Sequence, residues 1–164
     1  MGRNYILTQE VAEKKLRRMA YEILENNAGE PELILAGIQE NGVVLAGNIR
    51  QLLTEISPIS TQLISITLDK KNPGEAVINQ SVPFKNRVII VIDDVSNSGR
   101  TMLYALQPFL DSHPKKIQSL VLVERTHKTF PVKPDYVGLS VATTLLEHIY
   151  VEVADGKVKG AWLE

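Results

Sequence analysis

The sequence has 164 residues, of which 44% are hydrophobic and 23% are charged. This composition is typical of a soluble globular protein and predicts one domain, residues 1–164. The chain has no cysteine, which excludes a disulfide framework and thiolate chemistry, and its net charge of −1 excludes a global basic field that would attract nucleic acid.

The start of the chain and its apolar runs predict a cytoplasmic protein. Residues Met1–Glu10 lack the apolar core of a secretory signal, and Ile6 breaks the myristoylation pattern. No apolar run approaches the ~18 residues that a membrane-spanning helix needs. We therefore expect no membrane partner.

The first half of the chain alternates helical and strand patterns. Apolar residues between Thr8 and Asn26 recur about every 3.6 residues, which predicts a helix that Thr8 caps and that stops before Gly29. The apolar run Leu33–Ile38 predicts a strand buried on both faces. After it come a turn-like pair, Asn41-Gly42, a predicted helix, Val43–Ile56, and a predicted strand, Gln62–Leu68.

A segment without helical period follows. Residues Asp69–Val82, which we call the arm, are predicted to form a mobile loop or an exposed hairpin. Next, Val88–Ile92 is the most hydrophobic β-branched run and predicts a central strand. The remaining predicted elements are a helix over Ser98–Asp111, strands over Ile117–Val123 and Tyr136–Val141, and a hairpin of Ile149–Val153 and Lys157–Trp162 around Asp155-Gly156.

This alternation predicts an α/β fold with a mainly parallel central sheet flanked by helices. In such sheets, ligands bind beyond the carboxyl ends of the strands. We therefore expect functional residues just after Gly37, Leu68, Ile92 and Val123.

The segment Val88–Thr101 carries the most informative pattern. Asp93 and Asp94 end an apolar strand, and a short Ser/Asn/Gly loop leads into a helix. A helix N-terminus offers free N–H groups to a phosphate, and Gly99 allows the backbone to approach it closely. The two carboxylates would repel a phosphate, so ribose hydroxyls or a magnesium ion are their natural partners.

A purely structural role is the alternative for this segment. Ser96, Asn97 or Ser98 could cap the helix while both aspartates are solvated. A cap needs only one carboxylate, so the adjacent pair at the tip of an apolar strand favours a binding site.

Asp93-Asp94-Val95-x-x-Ser98-Gly99-Arg100-Thr101 resembles the 5-phosphoribosyl-1-pyrophosphate (PRPP) motif of type I phosphoribosyltransferases. The resemblance covers about Thr8–Val153. The Arg125-x-His127 element favours the pyrimidine-operon attenuator/uracil phosphoribosyltransferase group. Further segments that look like the family, in the same order, are Ile34–Gly42, Ile66–Leu68 before the arm, Val121–His127 and Pro134–Gly138.

The resemblance implies a small hood beside the central sheet, a flexible arm and a homodimer. It also implies magnesium-dependent transfer of the phosphoribosyl group to a nucleobase, with release of pyrophosphate and with uracil favoured. Asp93 and Asp94 would hold the ribose hydroxyls directly or through Mg²⁺, with Lys70 (or Lys71) and Arg125 assisting. The implied contacts are Val95, Ser96, Asn97, Ser98, Gly99, Arg100 and Thr101 for the 5′-phosphate, Gln39, Glu40, Asn41 and Gly42 for pyrophosphate, and Lys133, Tyr136 and Val137 for the nucleobase.

One departure from the family pattern supports an alternative function. The family's pyrophosphate loop usually carries a basic residue, whereas this loop carries Glu40, whose charge would repel pyrophosphate. The alternative is a catalytically weakened regulator that senses PRPP or a nucleotide and that could also bind RNA. The lack of a basic face argues against RNA, because phosphate contacts dominate such binding.

Overall fold

The computed structural model describes residues 2–144 and 146–164; Met1 and Leu145 lie outside the described residues. Nine strands and three helices occur in the described part of the chain. In chain order they are β1 Asn4–Thr8, α1 Gln9–Asn26, β2 Glu32–Ile38, α2 Asn41–Ile56, β3 Ser60–Thr67, β4 Val77–Ile78, β5 Val88–Ser96, α3 Arg100–Leu110, β6 Lys116–Arg125, β7 Tyr136–Val141, β8 Ile149–Ala154 and β9 Lys157–Leu163.

The central sheet has six strands in the order β4-β3-β2-β5-β6-β7. All its neighbours are parallel except the short β4, which pairs antiparallel with β3. The carboxyl ends of β2, β3, β5 and β6 therefore meet at one edge, as the sequence predicts. This arrangement confirms the α/β prediction and brings the candidate segments together.

The strands are apolar because both faces of the central sheet are covered. In β2, Leu33 and Leu35 face one core cluster, which also contains the buried side chains of α1 and α2. Ile34 and Ala36 face the other cluster, which contains those of α3. A strand buried on both faces cannot alternate apolar and polar residues, and the uninterrupted apolar run follows from that.

A second, three-stranded antiparallel sheet has the order β1-β9-β8. The predicted hairpin of β8 and β9 is confirmed, and Asp155 and Gly156 form its turn with positive φ angles of 54° and 70°. Sequence analysis missed β1. Its partner is β9, at the other end of the chain, so no local pattern marks it.

Several predicted boundaries are confirmed and others are corrected. Thr8 caps α1 by accepting a hydrogen bond from the N–H of Val11, and Gly29 lies just past the helix with a φ of 84°. Asn41-Gly42 is not a turn, because α2 begins at Asn41. Among the described residues, the arm contains one strand, β4, which pairs antiparallel with the end of β3 to form a short hairpin.

Among the residues that the structure describes, no helix has the length and hydrophobicity needed to cross a membrane.

Two glycines of α2 lie in opposite environments. A Cβ on Gly42 would lie 2.5 Å from the carbonyl oxygen of Ile92 and 3.2 Å from the Cα of Asp93. A Cβ on Gly47 would meet no atom within 4 Å. Only Gly42 is therefore needed for the close approach of α2 to the end of β5.

We expect Gly42→Ala to lower the free energy of unfolding by about 1–3 kcal/mol, because the added methyl group overlaps backbone atoms of β5. The matched change Gly47→Ala should raise it by roughly 0.5–1 kcal/mol, since alanine favours a helix interior more than glycine does. Urea unfolding of both variants measures the difference. A Gly42→Ala variant as stable as Gly47→Ala would contradict the close contact.

Candidate active site

A cavity of about 380 Å³ opens at the carboxyl edge of the central sheet. It includes all of the segment Asp93–Thr101 and also Lys70 from the arm. Met102, Val121 and Ile149 complete its wall. The structure thus brings the predicted acidic and phosphate-binding residues into one cavity.

Asp93 and Asp94 form an acidic pair at the end of β5. Asp93 has a side chain only 3% exposed, and its Oδ1 accepts hydrogen bonds from the Asp94 N–H at 2.9 Å and the Lys70 ammonium at 2.8 Å. Asp94 accepts from the Val95 N–H at 2.8 Å and from the Asn41 side-chain amide at 3.0 Å. Lys70 Nζ also lies 3.7 Å from Asp94 Oδ1, so both carboxylates share one cation.

The acidic pair has shifted protonation equilibria. Burial and the neighbouring charge of Asp94 raise the pKa of Asp93 to about 8, although Lys70 opposes the shift. Burial lowers the pKa of Lys70, but the two carboxylates raise it by more, so its net shift is upward. Burial therefore favours the protonated form of Asp93, and the cation of Lys70 offsets only part of that effect.

The loop after the acidic pair presents several hydrogen-bonding groups at the start of α3. Ser98 Oγ accepts from the N–H of Arg100 at 3.2 Å, and Gly99 precedes α3 with a φ of 89°. The first turn of a helix leaves its N–H groups without intrahelical partners. In the described part of the chain, the buried Ser96 Oγ also has no hydrogen-bond partner. We call residues 95–101 the phosphate loop.

The predicted pyrophosphate loop lies between β2 and α2. Gln39 accepts a hydrogen bond from Thr67 Oγ1 at 2.8 Å, and Asn41 donates to Asp94 and to the carbonyl of Val151 at 3.1 Å. Glu40 is exposed, and its side chain makes no capping bond to α2. Asn41 therefore connects this loop to the acidic pair and to the small sheet.

Arg125 is a buried side chain that binds backbone carbonyls near the phosphate loop. It is 8% exposed, and its guanidinium donates to the carbonyl oxygens of Thr144 at 2.7 Å and Glu147 at 2.6 Å. It also lies 3.5 Å from Asn97 Oδ1. Arg125 thus joins the β7–β8 connection to the phosphate loop instead of pairing with an acidic neighbour, and its contact with pyrophosphate stays a prediction.

The three predicted nucleobase contacts are not brought to the cavity. Tyr136 is 1% exposed and its hydroxyl donates to Gln118 at 2.8 Å, and burial raises its pKa to about 12. The carbonyl of Val137 accepts from Arg18 at 3.0 Å, and Lys133 is exposed on the loop before β7. The structure corrects the expected role of Tyr136, which is a core residue at the start of β7.

Sequence reasoning missed part of the cavity wall and a buried ion pair. Ile149 reaches the cavity from β8, which is far from β5 in the sequence. Glu124 accepts hydrogen bonds from Lys128 at 2.8 Å and from Ser140 at 3.0 Å at the carboxyl edge of the sheet. Only the spacing of Glu124 and Lys128 could have indicated the ion pair, and that spacing is common in any sequence.

The chain matches the family model of the phosphoribosyl transferase domain over residues 3–155. It belongs to the phosphoribosyltransferase family. Two bacterial relatives are each named bifunctional protein PyrR. That of Macrococcus caseolyticus is 33% identical over 160 residues, or 92% of both chains. That of Ligilactobacillus salivarius is 35% identical over 158 residues, or 88% of this chain and 89% of the relative.

Solved phosphoribosyltransferases share the fold. The hypoxanthine phosphoribosyltransferase of Trypanosoma cruzi aligns with a TM-score of 0.79 at 12% identity and covers 98% of this chain and 95% of its own. A hypoxanthine-guanine phosphoribosyltransferase of Bacillus anthracis aligns with a TM-score of 0.75 at 18% identity, over 89% of this chain and 86% of that enzyme. The predicted family, its attenuator group and the type I phosphoribosyltransferase fold are confirmed.

The buried Asp93 predicts a pH-dependent cost in stability. Its pKa rises from 3.8 to about 8 on folding, so the folded state binds the proton more tightly than the unfolded state does. Stability is therefore lost as pH rises from about 4 to 8. Asp93→Asn cannot ionise, so we expect this variant to gain stability relative to the parent protein across that range, by up to about 1.4 kcal/mol per pH unit.

Urea unfolding at pH 5 and pH 8.5 measures the change. Glu25→Gln, a substitution on the exposed face of α1, removes one charge elsewhere and serves as the control. A constant difference in stability between Asp93→Asn and the parent at both pH values would show that Asp93 does not titrate in this range.

Proposed function

We propose that this chain is a phosphoribosyltransferase that joins a nucleobase, with a pyrimidine such as uracil favoured, to PRPP and releases pyrophosphate. The observation that carries the proposal is the placement of the acidic pair and the phosphate loop in one cavity. The loop suits the 5′-phosphate, and the carboxylates suit ribose hydroxyls that lie a few bonds away on the same molecule.

The reaction breaks the C1–oxygen bond to pyrophosphate and forms a C1–nitrogen bond to the base. Positive charge develops on the ribose in the transition state, and carboxylates close to the ring stabilise it. The phosphate loop fixes the other end of the ribose, so the protein contributes mainly orientation and electrostatics. Asn41 holds Asp94, and Gly42 lets α2 pack close to Asp93.

Magnesium fits this site as a proposed cofactor. The carboxylates of Asp93 and Asp94 already share the positive charge of Lys70, which is the type of environment that a cation needs. Among the described residues, no cluster of three or more potential metal ligands occurs, so the ion would take its other ligands from the substrate and water. Bound there, Mg²⁺ would neutralise the leaving pyrophosphate.

The base site is proposed next to the phosphate loop. A cavity of about 340 Å³ there is lined by Asn97, Ser98, Arg125, His127, Thr129 and His148. In the described part of the chain, the buried Nε of Arg125 has no hydrogen-bond partner. This cavity offers donors for the oxo groups of a pyrimidine, and Lys133, Tyr136 and Val137 are not among its lining residues.

A sensing role is the second candidate function. Glu40 is exposed in the loop proposed for pyrophosphate, and its charge opposes binding of a polyanion. The relatives named bifunctional protein PyrR indicate that more than one activity occurs in this group. The regulator would bind PRPP or a nucleotide with little turnover, and RNA would be its further ligand.

The cellular role that we propose is pyrimidine salvage in the cytoplasm. We also propose a homodimer, because Val77, Leu103 and Leu110 expose apolar side chains on the arm and α3. Light scattering of the purified protein measures the mass, and a monomer at micromolar concentration would contradict the dimer.

Two substitutions test the proposed function. Asp94→Asn should lower kcat/KM for PRPP by roughly 100-fold, because it removes a charge that faces the ribose. Glu40→Gln should raise the affinity for PRPP by about three- to tenfold, because it removes a charge that repels the polyanion. Glu40 is exposed and water screens its charge, so this gain is smaller than the one expected for two close charges in a protein interior. Pyrophosphate release with a panel of bases, and calorimetry with PRPP and magnesium, measure both effects.

Glu75→Gln is the matched control, because it removes the same charge from an exposed position on the arm and should change neither quantity. Binding of PRPP without turnover of any base would favour the sensing role. Failure of PRPP to bind the parent protein would overturn both functions.

A further inference from the structure

The two halves of the arm are held by different contacts. The second half is fastened to β3: the Asn79 N–H donates to the carbonyl of Ser65 at 3.0 Å, and its side chain donates to Thr67 Oγ1 at 2.8 Å. The first half lies outside any strand. Among the described residues, its hydrogen bonds to the rest of the protein are made by the side chain of Lys70 and by the backbone carbonyl of Lys71. Both partners, Asp93 and Arg100, line the proposed ligand site.

The first tie is the ammonium of Lys70. It lies 2.8 Å and 3.1 Å from the two carboxylate oxygens of Asp93 and 3.7 Å from Asp94 Oδ1. The Lys70 side chain is 38% exposed, whereas that of Asp93 is 3% exposed. The lysine therefore reaches from solvent into the cavity and covers the buried carboxylate.

The second tie joins the arm to the phosphate loop. Arg100, the first residue of α3, donates from Nη2 to the carbonyl oxygen of Lys71 at 3.1 Å. Arg100 also lines the cavity. A phosphate in the loop would attract this guanidinium, so ligand binding acts on the same stretch of the arm twice.

We infer that Lys70 is an internal occupant of the ribose and cation position, and that the arm must release it from Asp93 and Asp94 before PRPP binds. This inference rests on the proposed function and deepens it. The free protein neutralises its acidic pair with its own lysine, and PRPP loading exchanges that lysine for ribose hydroxyls and a divalent cation.

Lys70 and a metal ion exclude each other because both need the same carboxylate oxygens. Both oxygens of Asp93 accept from Lys70, and Oδ1 also accepts from the Asp94 N–H. A metal ion bound to the same oxygens would lie within a few ångströms of the ammonium, and two like charges at that distance repel strongly. The flexible stem of lysine can rotate towards solvent without movement of β5. The released amine is then free to meet the pyrophosphate of the bound substrate.

Ribose 5-phosphate is the probe that separates the release of Lys70 from its later contact with pyrophosphate. It has the 5′-phosphate and the ribose hydroxyls but no pyrophosphate that could capture the released lysine. We would acetylate the protein with limiting acetic anhydride, with and without saturating ribose 5-phosphate and magnesium. Mass spectrometry then gives the rates at Lys70 and at Lys85, an exposed lysine outside the arm that serves as the internal reference.

We expect ribose 5-phosphate to raise the acetylation rate of Lys70 by about fivefold or more and to leave that of Lys85 unchanged. Lys70→Gln should bind ribose 5-phosphate roughly fivefold more tightly by calorimetry, because a partly exposed ion pair no longer competes. Lys70→Arg keeps the cation and should therefore lack this gain in affinity, whereas Lys85→Gln removes an exposed charge away from the cavity and should bind like the parent protein.

The outcomes distinguish this inference from the proposed function. If ribose 5-phosphate binds without changing the acetylation rate of Lys70, and Lys70→Gln binds it equally or more weakly, Lys70 does not occupy the ribose and cation position. The proposed function would still stand. Lack of binding by the parent and by Lys70→Gln would overturn both. The acetylation experiment uses the parent protein, so it decides the question even if Lys70→Gln does not fold.

Discussion

The burial of one carboxylate at the end of β5 is the constraint on which the rest of the site depends. Asp93 is 2% exposed, and a buried charge is stable only beside an opposite charge or well-placed donors. The chain supplies the Asp94 N–H and Lys70, which comes from a segment outside the central core. A buried acid whose cation sits on a partly exposed, flexible lysine side chain is also a site that can exchange that cation for a ligand.

The same constraint explains why several distant segments converge. Gly42 lets α2 pack against Ile92 and Asp93, which leaves the neighbouring Asn41 in reach of Asp94. Asn41 then bonds to Val151 of β8 and so ties the small sheet to the site. One close helix–strand contact therefore positions the predicted pyrophosphate loop, the acidic pair and the small sheet of β1, β9 and β8 relative to each other.

The sequence was sufficient for the sheet but not for the ends of its elements. Val88–Ile92 predicted the central strand, yet β5 continues to Ser96 because its parallel partner β6 extends to Arg125 and pairs with it in register. Asn41-Gly42 has the composition of a turn but opens α2, since the glycine is needed for packing. Tertiary contacts decided both cases, and local propensity carries no information about them.

The roles of the two site cations show why chemistry was harder to predict than fold. Arg125 is the last residue of β6, at the carboxyl edge of the sheet, and it binds two backbone carbonyls of the β7–β8 connection because a rigid guanidinium has several donors. Lys70 lies in a segment without pattern, yet its single flexible charge reaches the acidic pair. Sequence position indicates which edge a side chain approaches, whereas the acceptors present in the folded chain determine what it binds. Lys70 binds the same carboxylates that the proposed ligand would use, so it must leave them before the ligand binds. The arm and the site therefore act as one unit.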